Sequence, residues 1–191
     1  MKRIGILGGT FDPPHIGHLF MAEEARLKVK LDEVWWMPNR IPPHKEIVNN
    51  TSQEDRLEMV KKMVALHESY SLCEIELQRE GFSYSTDTME LLTKEFPDIQ
   101  FFFILGEDSL LTLNSWYKSE RLQQLVTFIV IRRPGFESEK ESFSENILMV
   151  EGSTVDVSSS SIRDSVQRGL LNRFLLTKDV YEFIKERQLY G

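Results

Sequence analysis

The sequence predicts an α/β protein, a parallel sheet whose strands are covered by helices on both faces. Three observations point there. Four short runs are apolar without interruption, as strands buried on both sides must be. The stretches between them repeat their apolar residues at helical spacing. The links from strand to helix are short, which implies right-handed βαβ units.

The first run, Ile4-Gly5-Ile6-Leu7, is followed by a glycine- and proline-rich turn and a helix beginning near Gly17. On that helix Leu19, Ala22, Ala25 and Val29 share one face. Val34-Trp35-Trp36-Met37 is the second strand. After a loop at 39–50, rich in proline and polar residues, Thr51-Ser52-Gln53-Glu54 has a capping-box pattern and opens a helix with Leu57, Val60, Val64 and His67 on one face. A weaker strand covers 71–75. Met89, Leu92 and Phe96 mark a third helix, ended by Pro97. Residues 101–105 and 127–131 complete the buried strands. A second loop, 134–146, is rich in serine and glutamate, and both loops are expected to be mobile. Two helices, about 160–168 and 178–187, close the chain. With no internal repeat, residues 1–191 read as a single domain with a small C-terminal helical portion from about 158.

Composition limits the function. The 191 residues are 41% hydrophobic and 28% charged with a net charge of −7, which argues against electrostatic binding of nucleic acid. An anionic ligand must therefore be held by a local cluster of cations and backbone N–H groups. Cys73 is the single cysteine, so no internal disulfide is available, and a cytoplasmic location fits best. The apolar stretch behind Met1-Lys2-Arg3 is too short for a signal peptide, and no run approaches the roughly 20 residues of a membrane helix.

The densest chemistry follows the first strand, in Gly8-Gly9-Thr10-Phe11-Asp12-Pro13-Pro14-His15-Ile16-Gly17-His18. Paired glycines let the backbone turn and a ligand approach its N–H groups. The following helix aims its N-terminal N–H groups and positive dipole end at whatever lies over the sheet. Two imidazoles stand at the same mouth. Together these make a polyphosphate cradle without a Walker lysine, and the segment is not the GxGxxG of dinucleotide oxidoreductases. Metal ligation by His15 and His18 is disfavoured, because the HExxH spacing and any nearby cysteine are absent, and no dedicated metal ligand is expected.

GGTFDPPHIGH resembles the signature of the HxGH nucleotidyltransferases, a superfamily that also includes class I aminoacyl-tRNA synthetases. Val157-Ser158-Ser159-Ser160-Ser161-Ile162-Arg163 resembles its ISxTxxR motif, with Ser160 where threonine is usual. The hydroxyl is kept, and Arg163 supplies a planar cationic fork. Gly106-Glu107-Asp108-Ser109 resembles the G-x-D element that meets adenosine; in isolation the preferred reading is an ordinary βα turn capped by Asp108. A synthetase would need far more chain and a KMSKS-like loop.

Smaller pieces resemble nicotinate-nucleotide adenylyltransferases in particular. Met37-Pro38-Asn39-Arg40-Ile41-Pro42-Pro43-His44-Lys45 matches their PN-x-IPPHK loop, and Ser83-Tyr84-Ser85-Thr86-Asp87-Thr88 their SYTxDT helix start, with Ser85 for threonine and Thr86 where an aromatic is common. Trp116-Tyr117 resembles the WY pair whose tryptophan stacks on the pyridine ring, although a tryptophan alone is as readily core. Arg133-Pro134-Gly135 matches an RPG turn, and Leu189-Tyr190-Gly191 a GLY-like C-terminus.

The resemblance implies a Rossmann-like nucleotidyltransferase fold with sheet order 3-2-1-4-5. It also implies transfer of AMP from ATP to nicotinic acid mononucleotide. His15, His18 and Arg163 would be catalytic. Gly8, Gly9, Thr10, Phe11, Gly17, Gly106, Asp108, Ser109, Arg133, Ser158, Ser159 and Ser160 would bind ATP. Asn39, His44, Lys45, Tyr84, Ser85, Trp116 and Tyr117 would bind the acceptor nucleotide. Magnesium is expected to arrive with ATP, held by substrate oxygens and water. Another acceptor, nicotinamide mononucleotide or phosphopantetheine, and an inactive nucleotide-binding sensor are the alternatives, and a homodimer is left open.

Overall fold

The computed structural model describes residues 1–41, 51–132, 146–153 and 155–191. The two expected loops fall largely outside these, as do His44, Lys45 and Arg133. Elements follow in the order β1 (Lys2–Gly9), α1 (Ile16–Val29), β2 (Glu33–Pro38), α2 (Gln53–Val64), β3 (Tyr70–Leu72), α3 (Ser85–Glu95) and β4 (Ile99–Gly106). Then come α4 (Glu107–Thr112), α5 (Ser119–Leu125), β5 (Thr127–Arg132), β6 (Ile147–Glu151), α6 (Ser159–Gln167) and α7 (Lys178–Glu186).

The sheet order is 3-2-1-4-5-6, and every neighbouring pair is parallel. The chain therefore runs outward from β1 through β2 to β3 and returns to β4 on the other side of β1. This places the topological switch between β1 and β4, where parallel α/β sheets leave a crevice beyond their strand ends.

β4 shows why the strands read as unbroken apolar runs. Phe102 and Ile104 face a core shared with Trp36, Ala22, Ala25 and Met59. Phe101, Phe103 and Leu105 face the opposite core with Ile4, Met89 and Leu122. Alternate residues of a strand point to opposite faces, so a strand with a core on each side has no polar positions to alternate.

Two local expectations need correction, and one strand was not expected. The second helix is capped by Ser52, one residue after Thr51; the Ser52 hydroxyl accepts from the Asp55 N–H at 3.0 Å. Its buried face carries Arg56, Met59, Val60 and Met63, while Leu57 and Val64 are only half-buried and His67 lies beyond the helix. Packing against the sheet, not the leucine and valine spacing, sets that face. The additional strand is β6, beside β5. It is a five-residue edge strand whose first four residues, Ile147-Leu148-Met149-Val150, form an apolar run like those of the other strands, although only Val150 is buried. Among the described residues no helix is long and apolar enough to cross a membrane.

Candidate active site

β1 delivers the chain to the sheet rim at Gly8-Gly9-Thr10. Phe11 then turns back with φ 51°, a left-handed conformation, and buries its ring against Trp36 at 5.5 Å between centroids. Gly9 makes this reversal feasible, since a Cβ there would stand 3.1 Å from the Phe11 ring. The chain descends through Asp12-Pro13-Pro14 to His15, the N-cap of α1.

The two imidazoles are locked to each other. The His15 N–H donates to Nδ1 of His18 at 3.2 Å, the His18 N–H donates to the His15 carbonyl at 3.0 Å, and the ring centroids are 3.8 Å apart. Because Nδ1 of His18 accepts a backbone hydrogen bond, the proton of the neutral ring belongs on Nε2, which makes Nε2 a donor. The Phe11 ring meets His18 edge-on at 5.0 Å and fixes its plane. His15 is buried; His18 is half-exposed.

The serine motif at the other end of the chain docks onto this loop. Ser158 caps α6, its hydroxyl accepting from the Ser161 N–H at 3.1 Å. Ser159 Oγ donates to the Pro13 carbonyl at 2.9 Å. Arg163 Nη1 donates to the Asp12 carbonyl at 2.7 Å, and Nη2 to Ser160 Oγ at 3.2 Å. Gly17 permits the close approach: a Cβ there would lie 2.9 Å from Val157 Cγ1 and 3.0 Å from His15 Nδ1. His15, His18 and Arg163 thus share one rim. Gly106, the N-cap of α4, lies on the same rim at the end of β4; Asp108 and Ser109 occupy the first turn of α4, so Asp108 is not its cap.

Neighbouring loops carry the residues expected for the acceptor. The Asn39 N–H continues the β1–β2 ladder by donating to the Gly9 carbonyl at 3.0 Å, and its Nδ2 reaches Thr10 Oγ1 at 3.3 Å. The Arg40 N–H donates to Ser83 Oγ at 3.0 Å and the Ser83 N–H to the Ile41 carbonyl at 3.0 Å, which ties this loop to the start of α3. Tyr84 is the N-cap of α3 and makes no side-chain cap, so Ser85 opens a helix whose first turn is presented uncapped. Thr86, buried, donates to the Tyr117 carbonyl at 2.7 Å and so joins that helix start to the WY pair. Tyr84 and Tyr117 stack with centroids 4.4 Å apart. Trp116 is half-buried and packs edge-on against Phe103 at 6.3 Å; its backbone N–H donates to Leu113 at 3.1 Å. The Trp116 backbone N–H is thus engaged within its own turn.

Three supporting residues escaped the sequence reading. Arg56, 2% exposed, donates from Nη1 to the carbonyls of Thr10 (2.8 Å) and Asn39 (2.9 Å) and from Nη2 to that of Arg40 (3.3 Å). One buried cation thus spans the histidine loop and the Asn39 loop; burial lowers its pKa, opposed by the field of Asp12. A visible signal existed: a charge on the Met59–Val60–Met63 stripe of α2. Glu76 is buried under α3, accepting from Thr88 Oγ1 at 2.9 Å, and burial pushes its carboxyl above the usual range. Tyr190 donates to Asp12 Oδ1 at 2.6 Å.

A family model for cytidylyltransferase-like proteins matches residues 6–165. A "Probable nicotinate-nucleotide adenylyltransferase" of Halalkalibacterium halodurans is 47% identical over all 191 residues and 92% of that protein. One of the same name from Shouchella clausii is 46% identical over the whole chain and 98% of its own length. The chain belongs to the nicotinate-nucleotide adenylyltransferase family. The fold also matches solved family structures at low identity. The Plasmodium falciparum nicotinic acid mononucleotide adenylyltransferase complexed with NaAD superposes with a TM-score of 0.81 at 20% identity, over 100% of this chain and 98% of that one. The same enzyme complexed with APC gives 0.79 at 19%, with the same coverage. The span matched by the family model contains both motifs, residues 8–18 and 157–163.

Proposed function

We propose that this family member transfers the AMP moiety of ATP to the phosphate of nicotinic acid mononucleotide, giving nicotinic acid adenine dinucleotide and pyrophosphate for NAD synthesis. The observation that carries the reading is the docking of α6 onto the histidine loop, which gathers His15, His18 and Arg163 beside the β1–β4 switch.

The acceptor phosphate is anionic at neutral pH, so no general base is needed to create the nucleophile. One of its oxygens forms a bond to the α-phosphorus of ATP while the bond to the bridging oxygen breaks in line, and the electron pair leaves with pyrophosphate. Catalysis then reduces to holding two polyanions together and offsetting charge on the reacting phosphoryl group. His18, a donor at Nε2, faces the α-phosphate with His15 fixing its orientation. Arg163, with Ser158 and Ser160 at the α6 N-terminus, takes the outgoing pyrophosphate. Gly8, Gly9, Thr10, Phe11 and Gly17 give the phosphates backbone access. Gly106, Asp108 and Ser109 meet the adenosine, joined by Arg133, and Ser159 braces the motif from Pro13. Magnesium would arrive with ATP, held by substrate oxygens and water, and would neutralise charge on its phosphates.

On the acceptor side, the uncapped first turn of α3 at Ser85 offers backbone N–H groups and a positive dipole end to the ring carboxylate, with Tyr84 and Tyr117 forming one wall and Trp116 the stacking partner for the pyridine ring. Asn39, His44 and Lys45 are assigned to the ribose phosphate. A pocket of donors leaves the amide form's NH₂ without an acceptor, a mismatch worth about 1–3 kcal/mol for each unpaired group.

The test offers ATP with nicotinic acid mononucleotide, nicotinamide mononucleotide and phosphopantetheine, following pyrophosphate release. We expect turnover with the first and a preference over the amide of about a hundredfold or more in kcat/KM. Comparable use of the amide would overturn the specificity argument, and no turnover with any acceptor would overturn the enzyme reading in favour of a nucleotide sensor.

A further inference from the structure

The last residues of the chain return to the histidine loop. α7 is anchored on α2 by Arg187, whose Nε and Nη2 each lie 3.1 Å from Asp55 Oδ1. Beyond the helix, Gln188 (φ 51°) and Tyr190 (φ 67°) both adopt the left-handed region, unfavourable for side chains other than glycine. Such conformations persist only where surrounding contacts impose them, and they concentrate at functional sites. Here they turn Tyr190 inward. Its hydroxyl donates to Asp12 Oδ1 at 2.6 Å and is itself bonded by the side chain of Thr51. Burial pushes the phenol well above its usual range, so it remains a donor under working conditions.

Asp12 is 6% exposed and stands where the two sequence motifs meet. Its backbone carbonyl accepts Arg163 Nη1 at 2.7 Å, and its Oδ2 lies 4.0 Å from the same nitrogen. The residue after it, Pro13, accepts Ser159. The hydroxyl of Tyr190 is therefore one covalent residue away from the group that orients Arg163, and it fixes the side of the carboxyl opposite the guanidinium.

We infer that Tyr190 is a positioning residue of the ATP site, the C-terminal tail setting the orientation of Asp12 and through it the placement of Arg163 against the phosphates. This rests on the proposed reaction for its substrates but makes a separate claim about the chain. The tail acts on the ATP side, because nothing links Tyr190 to Ser85, Trp116 or Tyr117 among the described contacts.

The experiment compares the full-length protein with Tyr190→Phe and with a chain ending at Leu189. Steady-state turnover gives KM for each substrate, and calorimetric titration with ATP alone gives its Kd. Tyr190→Phe keeps the ring and is expected to retain the wild-type circular dichroism spectrum. It should lose about tenfold in kcat/KM for ATP and weaken ATP binding, while KM for the mononucleotide stays within about twofold. The truncated chain should show the same one-sided loss, at least as large. Tyr190→Phe with ATP parameters within about twofold of wild type would overturn the inference. So would equal losses for both substrates, which would mark the tail as a general stabiliser. If the wild type turned over no acceptor, the proposed reaction would fail, and the ATP titration would still decide the role of Tyr190.

Discussion

Gly17→Ala separates packing from helix propensity. Gly17 is the second residue of α1, and alanine there should favour the helix by at most about 1 kcal/mol. The added Cβ, however, would sit 2.9 Å from Val157 Cγ1 and 3.0 and 3.1 Å from two atoms of the His15 ring. Both neighbours are 6% exposed, and neither contact is with the far end of a flexible side chain, so one of them must move. Overpacking of this kind costs about 1–3 kcal/mol. The two effects partly offset, leaving a net loss of about 0–3 kcal/mol, or a fall in Tm of up to about 12 °C for a chain this size. Activity should suffer far more. Relief requires either rotating His15, which holds His18, or lifting α6, which carries Arg163, and a misplacement approaching 1 Å can cost about a hundredfold in rate. The variant is expected to fold and to lose about 30-fold or more in kcat/KM, with thermal unfolding and pyrophosphate release measured on the same preparation. Adding Val157→Ala removes the 2.9 Å contact and should restore part of the rate. A single variant as active as wild type, or a double variant no better than the single, would refute the packing argument.

Other outcomes follow from the supporting residues. Arg56→Met removes the donor shared by Thr10, Asn39 and Arg40, and should lower stability by about 2–4 kcal/mol, read as a shift in the urea midpoint at constant m-value. His18→Ala should depress kcat by about a hundredfold with little change in ATP affinity, checked by turnover beside calorimetry. Glu76→Gln tests the buried carboxyl. Its folded pKa is raised above the ordinary 4.5, so its stabilising contribution is present below 4.5 and lost as pH rises through the folded value. The glutamine variant should accordingly gain stability relative to wild type as pH rises above 4.5 in denaturant titrations.

What the sequence made legible was what its local pattern dictates. Residues 101–105 read as a doubly buried strand because both faces of β4 meet a core. The histidine loop and the serine motif were readable as chemistry, and their union follows from residues inside them: Gly17, Val157, Ser159 and Arg163. β6 carried a signal, the apolar run at 147–150, but it follows directly on the serine- and glutamate-rich segment and was missed; as an edge strand it buries Val150 alone. Arg56, and the pairing of Tyr190 with Asp12, were missed for a different reason. Their roles depend on partners between 16 and 178 positions away, and no local period encodes such pairings. Thr86 is instructive as well. It stands where an aromatic is common and looked like a loss, yet its hydroxyl joins α3 to the Tyr117 loop in a way an aromatic ring could not.

A chain with a net charge of −7 that handles two polyanions must choose where its acids go. Acidic residues in a helix's first turn complement its dipole, each worth about 0.3–1 kcal/mol, and α2, α3, α4, α5 and α7 all have them. Among the described α-helices, α1 and α6 alone have none. These are the two whose N-termini meet at Asp12 and Pro13. Their first turns forgo that stabilisation and keep the positive end of each dipole for a ligand, with His15 and Ser158 as caps that carry no fixed negative charge. The third helix start in the proposed site, α3, does carry Asp87, but Lys118 stands 3.5 Å from it and offsets its charge. In the proposed site the first turns of the two helices assigned to phosphate thus carry no acid, the nearby Asp12 carboxylate being engaged by Tyr190 and Arg163, and the terminus assigned to the acceptor is balanced. Local placement of charge, against the sign of the whole molecule, is what the proposed ATP site relies on.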